Sequence, residues 1–391
     1  MADINKRRVG VLFGGSGLIG GTIVNYFKQR RPGVAEILAP NSKKVSLRNC
    51  ADIRAYLMTV KPDFVINGAI TNIDSDSQLA FEVNYIGAIN IARAAAALKI
   101  PYIFFSSAAT LPPGKSLMET DQLPLTARMS NYAKSKLMAE KTLKHMHENE
   151  GLDYSCLRLS VVYGNHDHKI QGFHRLIFSI ADGAMPVLFT KKGVMHSYSN
   201  SRKIPYLIHH MLDNREEFGG KTYHFVDRDP VELGELILSI KSYLQLKSPR
   251  KIYVPYSVAH TGRKTVGIIL RILTKIGLKA TLPPELMFLG AFYRTQALSC
   301  ERLDTSSFVD PMPDENVHSR LPEMIEYYLT RWSHQNLITT FDEKLDFDNS
   351  IGNDFKENPQ ALLESIHLDA ASPFEKISCE QGEPGKTGTK D

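Results

Sequence analysis

Cysteine is scarce in this 391-residue chain: only Cys50, Cys156, Cys300 and Cys379 occur. They lie far apart and none forms a CxxC pair. This argues against a disulfide framework or a structural zinc site and predicts a reducing, cytoplasmic setting. Long apolar runs are also missing. The nearest approach to a spanning segment, Val266–Leu278, is interrupted by Arg271 and Lys275, so no transmembrane helix is expected. The first apolar run, Val9–Phe13, is too short for a signal peptide. Acidic residues are absent from Leu236 to Pro284, where nine Lys or Arg stand. No internal repeat of fixed period is present.

What the chain does have is enough apolar sequence, 43 % of residues, to bury a sizeable core. At about 150 residues per domain the length suggests two or three units. The net charge of +5 hides an asymmetry. Residues 341–391 carry a net −7 and the first 340 residues +12. The last stretch loses periodicity and gains Gly, Pro and Ser, which predicts a disordered acidic tail. A basic body points to an anionic small-molecule partner, such as a phosphate-bearing cofactor, a nucleotide or a lipid head group; no nucleic acid is expected.

Short apolar runs alternate with helical patterns through the first half of the chain. Val9–Phe13, Glu36–Ala39, Phe64–Asn67, Tyr102–Ser106 and Tyr154–Val162 read as strands. Gly17–Gln29, Ala51–Val60, Phe81–Leu98 and Tyr132–Glu148 read as helices. Such alternation predicts an α/β fold with a doubly wound parallel sheet of the Rossmann type, here of seven strands. Ligands in such sheets sit at the carboxyl ends of the strands.

The first strand runs directly into Gly14-Gly15-Ser16-Gly17-Leu18-Ile19-Gly20. A glycine at a strand end permits a tight turn, a second lets the backbone approach a pyrophosphate, and a third lets the following helix pack closely. The helix N-terminus then offers free N–H groups to the phosphates. After the second strand the chain reads Ala39-Pro40-Asn41-Ser42-Lys43-Lys44, with no acid to hold a ribose 2′-hydroxyl. Ser42 and Lys43 suit a 2′-phosphate better, so NADP(H) is favoured over NAD(H).

Tyr132 and Lys136, four residues apart at the start of a helix, share one face. An ammonium beside a phenol favours phenolate and is expected to lower the pKa of Tyr132, making it a proton donor or acceptor near neutral pH. Ser107, at the end of the Tyr102–Ser106 strand, can hydrogen-bond the same substrate oxygen. The three together describe proton transfer at a carbinol or ketone while a nicotinamide takes or gives hydride.

These landmarks resemble the extended short-chain dehydrogenase/reductases, the NAD(P)-dependent epimerase/dehydratase group. The resemblance runs from about Val9 to Leu244. It rests on GGSGLIG, on KPDFVINGAI with Asn67 and Ala69, and on Asn84-Tyr85-Ile86-Gly87. FFSSAAT, YAKSK followed by Glu140, and RLSVVYG from Arg158 to Gly164 complete it. It implies Ser107, Tyr132 and Lys136 as the catalytic set, with Lys136 also holding the nicotinamide ribose and Val161 lying near the nicotinamide. It further implies cofactor contacts from Gly14, Ser16, Gly17, Leu18, Ile19, Gly20, Asn67, Ala69 and Asn84. The stretch EILAPNSKKVSLRN is similar to GDP-fucose synthases and dTDP-4-dehydrorhamnose reductases, which act on nucleotide-linked keto sugars. His174 falls where GDP-fucose synthases carry an acid/base histidine. The Val-Asp-Asp stretch usual in nucleotide-sugar enzymes is absent; Lys203-Ile204-Pro205-Tyr206-Leu207 stands instead. The group also implies a homodimer through the helices Phe81–Leu98 and Tyr132–Glu148.

The expected organisation is a dinucleotide-binding domain at 1–164, to which 201–226 return. A smaller C-terminal substrate domain and extension would take 165–200 and 227–340. In the acid-free segment, Lys264, Arg271, Lys275 and Lys279 share a helical face opposite Val266, Ile269, Leu270 and Leu273. That face reads as a packed helix showing lysines to water, as a lid over an anionic substrate, or as peripheral membrane contact through 262–279. Two alternatives to a nucleotide-sugar enzyme therefore stay open: a membrane-associated oxidoreductase of a sterol or other lipid, and a non-catalytic dinucleotide-binding regulatory subunit.

Overall fold

Four- to six-residue apolar runs, too short for helices and buried on both faces, assemble the central sheet. The computed structural model describes residues 7–182, 185–189, 193–275, 286, 288–335, 337 and 357–360; most of the expected acidic tail, and Lys279, lie outside them. The strands are β1 (Arg8–Phe13), β2 (Ala35–Leu38), β3 (Phe64–Asn67), β4 (Tyr102–Ser107), β5 (Gly114–Leu117), β6 (Tyr154–Leu159) and β7 (Val161–Tyr163). There follow β8 (Val187–Phe189), β9 (Met195–His196), β10 (Tyr198–Asn200), β11 (Lys221–Phe225), β12 (Val231–Glu232), β13 (Arg250–Ile252) and β14 (Gln296–Leu298).

The main sheet is parallel with order β11-β6-β4-β3-β1-β2. The chain winds one way from β1 to β2 and the other way from β3 onward. A crevice therefore opens at the carboxyl ends of β1 and β3, the switch point where such sheets bind ligands.

The sheet has six described strands, not the seven expected. The apolar run Tyr154–Val162 is two strands, not one. At Ser160 the chain leaves the sheet, its N–H donating to Ser199 Oγ at 3.0 Å, and β7 pairs with β10 in a separate parallel ribbon.

Successive side chains of each strand enter opposite cores. Val11 and Val65 pack under α2 (Cys50–Val60), α4 (Ala88–Leu98) and α5 (Asn131–Glu150). Leu12 and Ile66 pack under α1 (Leu18–Asn25) and α7 (Ile204–Asp213). The predicted Phe81–Leu98 helix is composite: α3 (Ser77–Leu79) passes through a wide-turned stretch, Ala80–Gly87, into α4. The described residues up to 330 form one compact unit. Within it, β12-β9-β14-β5 make a small mixed sheet and β13 pairs with β8. Further helices are α6 (Gly172–Ala181), α8 (Arg215–Phe218), α9 (Leu233–Tyr243), α10 (Tyr256–Lys275) and α11 (Val317–His334). No described helix is long and apolar enough to cross a membrane.

Candidate active site

The glycine turn is built by close backbone approach. Gly14 has φ +89°, a conformation that favours glycine, and a Cβ there would lie 2.6 Å from the Ala69 nitrogen and the Gly68 carbonyl carbon. A Cβ on Gly20 would overlap the Gly14 carbonyl, so helix α1 packs against the turn only because that position is bare. Gly17 caps α1 without a side chain, and no acid stands in the first turn. The helix start thus remains open to an anion, flanked by Ser16, Leu18 and Ile19. A backbone cradle that any side chain would fill fits the pyrophosphate of a nicotinamide dinucleotide.

The loop after β3 backs this turn. Asn67, 2 % exposed, donates from Nδ2 to Tyr102 Oη at 2.9 Å and accepts from the Ala69 N–H at 3.1 Å. Asn84 accepts from the Thr71 N–H at 2.9 Å and donates to Thr71 Oγ1 at 3.2 Å. The side chains of both asparagines are therefore engaged in shaping the loop. Beyond β2, Ser42 and Lys43 are exposed. Asn41 Oδ1 accepts from the N–H groups of Lys43 and Lys44, each at 3.0 Å, which fixes the turn that carries the two lysines.

Ser107 ends β4, its Oγ accepting from the Ala109 N–H at 3.2 Å. Ser130 caps α5 by accepting from the Ala133 N–H at 3.2 Å, which sets Tyr132 in the first turn. The Tyr132 phenol lies near enough to Ser107 for that side chain to pull its pKa down. Lys136, one turn on and 2 % exposed, donates from Nζ to the Phe105 carbonyl at 2.7 Å. Its Nζ also lies 4.7 Å from the centre of the Phe104 ring. The end of β4 and the start of α5 thus bring Ser107, Tyr132 and Lys136 together.

The electrostatics correct one expectation. Burial raises the Tyr132 phenol above its usual value, only partly countered by the Ser107 side chain; the ammonium does not dominate. Burial also pushes Lys136 down to about 8, against the pull of the nearby Glu140 carboxylate. Desolvation acts on both groups more strongly than their mutual field.

Val161, at the start of β7, is exposed just beyond the end of β6. His174 is buried in α6, its Nδ1 hydrogen-bonded with the Lys169 carbonyl at 3.0 Å, its ring stacked on Tyr328 at 4.1 Å.

Sequence reasoning missed the polar network beneath the site. Ser106 donates to Glu140, which Arg158 grips in turn. Arg158 also donates to the Glu119 carbonyl at 2.7 Å and meets His224 at 3.3 Å. A charged residue inside the apolar run SCLRLS was the available signal, because an arginine in a buried strand needs a partner. A second cleft, of about 630 Å³, opens beside Arg158, Lys221 and Arg302, toward the starts of β6 and β11 and away from the glycine turn. No group of three or more potential metal ligands occurs among the described residues.

Comparison with known proteins bears on this geometry. The model of the NAD dependent epimerase/dehydratase family matches residues 11–202. No curated protein sequence matches the chain. Among solved structures, dTDP-4-dehydrorhamnose reductase from Bacillus anthracis, in complex with NADP, superposes with a TM-score of 0.59 at 16 % identity, covering 83 % of this chain and 99 % of that one. A GDP-6-OMe-4-keto-L-xylo-heptose reductase from C. jejuni gives 0.63 at 12 % identity, over 83 % and 98 % of the two chains. UDP-glucose 4-epimerase from Thermus thermophilus, in complex with NAD, gives 0.60 at 17 %, over 82 % and 99 %. At such identities these likenesses establish the fold. The family match, by contrast, begins inside β1 and ends just past β10, so it takes in the glycine turn and the whole Ser107 cluster: residues 11–202 match the NAD dependent epimerase/dehydratase family.

Proposed function

We propose that the protein is an NAD(P)-dependent oxidoreductase or epimerase acting at a secondary alcohol or ketone of a nucleotide-linked sugar. The observation that carries this reading is Lys136, buried and anchored by its Nζ on the Phe105 carbonyl at 2.7 Å, one helical turn from a Tyr132 phenol that interacts with Ser107. Ser107 and Tyr132 offer two hydroxyls to one substrate oxygen. A phenol whose pKa is raised keeps its proton at neutral pH, which suits donation to a ketone oxygen. Lys136 presents positive charge beneath the site. The nicotinamide, when bound, supplies or accepts the hydride. The sugar-nucleotide reductases and epimerase among the structural neighbours support the substrate class.

The preference for NADP(H) over NAD(H) is supported by Ser42 and Lys43 after β2 and by the lack of an acid there. A homodimer through the 81–98 and 132–148 helices is supported by the exposed Phe81. The decisive experiment is turnover of nucleotide-linked 4-keto sugars with NADPH, followed by loss of cofactor absorbance, in wild type and Tyr132→Phe. Loss of about 10²–10⁴-fold in kcat is expected for removal of a positioned proton donor; unchanged turnover of an accepted substrate would sink the reading.

A second reading, membrane contact through α10, is favoured by the exposure of its apolar residues. Ile269, on the face opposite the lysines, is 49 % exposed, and Val258 and Ile268 are 59 % and 56 % exposed. No residue of α10 with a described side chain is buried. Apolar side chains flanked by Lys264 and no acid suit an anionic lipid surface. Co-sedimentation with anionic liposomes tests this, and binding lost in Lys264→Glu would support a lipid-facing oxidoreductase.

A further inference from the structure

The glycine turn faces a wall to which the dinucleotide reading gives no part. A cleft of about 660 Å³ extends from Ser16 and Gly17 across to Asn165, Arg320 and Glu323. Arg320 lies in the first turn of α11 and is only 7 % exposed. Its Nη1 donates to Glu323 Oε2, one turn further on. Its Nε is buried without a hydrogen-bond partner. Asn165 donates from Nδ2 to Glu323 Oε1 at 2.8 Å, and its own Oδ1 is likewise buried without a partner.

Glu323 thus fixes both side chains through its two oxygens and leaves one atom of each unsatisfied. These atoms are complementary in kind: Arg320 Nε–H is a donor and Asn165 Oδ1 an acceptor. Buried polar atoms in native proteins are paired, and an exception calls for an explanation such as a ligand. The ligand that satisfies both carries an anionic acceptor next to a hydroxyl donor. A phosphate ester of ribose has that combination, and the open start of α1 supplies backbone donors on the opposite wall.

We propose that Asn165 and Arg320 close over a ribose-linked diphosphate seated on the glycine turn, Arg320 Nε–H donating to a phosphate oxygen and Asn165 Oδ1 accepting from a ribose hydroxyl. Helix α11 thereby becomes part of the nucleotide site. This rests on the dinucleotide reading of the turn. Two sources carry the same chemistry: the cofactor's own pyrophosphate and the diphosphate of a nucleotide-linked substrate.

Calorimetric titration of the full chain with NADPH, and separately with GDP, UDP and dTDP, tests the proposal in wild type, Arg320→Gln and Asn165→Leu. A tenfold or greater weakening of NADPH in both variants, with the nucleoside diphosphates unaffected, assigns the clamp to the cofactor. The same weakening confined to the nucleoside diphosphates assigns it to the substrate. Ligand-free melting temperatures show whether a variant folds; should Arg320→Gln fail to fold, Asn165→Leu and Arg320→Lys decide. Wild type that binds, with folded variants binding equally well, overturns the clamp and leaves the dinucleotide reading standing. Wild type that binds none of these ligands overturns that reading and the clamp with it.

Discussion

Arg158 grips Glu140 through two parallel hydrogen bonds, Nε to Oε1 at 2.9 Å and Nη2 to Oε2 at 2.7 Å. Both side chains are almost completely withdrawn from water. Glu140 is one turn beyond Lys136 on α5, and Arg158 is on β6. The pair therefore ties the helix that carries Tyr132 to the sheet that carries Ser107. A bidentate geometry with further donors from Ser106 and Gln122 is the arrangement in which a buried ion pair holds.

Breaking that pair from one side leaves an uncompensated buried charge. Glu140→Ala is expected to cost about 3–5 kcal/mol, read as a fall in the midpoint of urea denaturation. Replacing both partners, Glu140→Leu with Arg158→Met, should be much less damaging than the single change. If the single and double variants were equally unstable, the pair would be holding the helix by shape, not by charge.

How much of this was legible beforehand depends on how local the signal is. Strand positions came out within a residue or two: Glu36–Ala39 is observed as Ala35–Leu38, and Tyr102–Ser106 as Tyr102–Ser107. The break at Ser160 was not legible, because Leu159 and Val161 continue one apolar run and only the distant Ser199 takes up the Ser160 N–H. The Tyr132–Lys136 spacing placed both residues on one helix face, yet spacing is silent on burial, and burial decides the direction in which both pKa values move. Asn165 and Arg320 lie 155 residues apart in the sequence and meet through Glu323, which no local pattern announces. The same holds for His174: its place in the chain suggested chemistry, whereas its ring is stacked on Tyr328 from a distant helix.

The Lys136 ammonium has a testable pH signature. Its pKa is lowered to about 8 by burial. Below that pH the cation is present; above it the cation is lost. The kcat/KM for cofactor, which reports ionisations of the free enzyme, should decline above about pH 8 and lose this limb in Lys136→Met. Stability moves the other way. Between about 8 and the ordinary lysine value of 10.5 the unfolded chain holds a proton that the folded chain has shed, so Lys136 makes folding more favourable as pH rises through that window. Opposite trends in activity and melting temperature would separate a catalytic ionisation from alkaline unfolding; a flat kcat/KM to pH 9.5 would remove Lys136 from the site.

Gly14→Ala should abolish dinucleotide binding and destabilise the fold together. The new methyl would meet main-chain atoms of Gly68 and Ala69, which cannot swing aside as a side chain can, and the residue would be held at φ +89°. Gly17→Ala differs, since its Cβ would find only the Gly14 carbonyl oxygen, at an ordinary 3.6 Å. Melting temperature should drop clearly for the first variant and little for the second. Equal losses would mean that the turn is set by something other than backbone crowding.

Asp227 supplies a stability test remote from the chemistry. Its Oδ2 accepts from Tyr163 Oη at 2.7 Å and from the Val317 N–H at 3.1 Å, so it fastens the start of α11 to β7. Burial raises its carboxyl from 3.8 to about 6, despite those hydrogen bonds and the nearby Lys203. The folded chain therefore binds this proton more tightly than the unfolded chain. The resulting stabilisation is complete below pH 3.8 and lost as pH rises through about 6. Asp227→Asn cannot ionise. Relative to wild type, its urea midpoint should improve steadily from pH 4 to pH 7, by an amount on the order of 1–3 kcal/mol for a shift of this size. A difference between the two proteins that does not vary with pH would show that the carboxylate is not desolvated, and that α11 is fastened by its hydrogen-bond geometry alone.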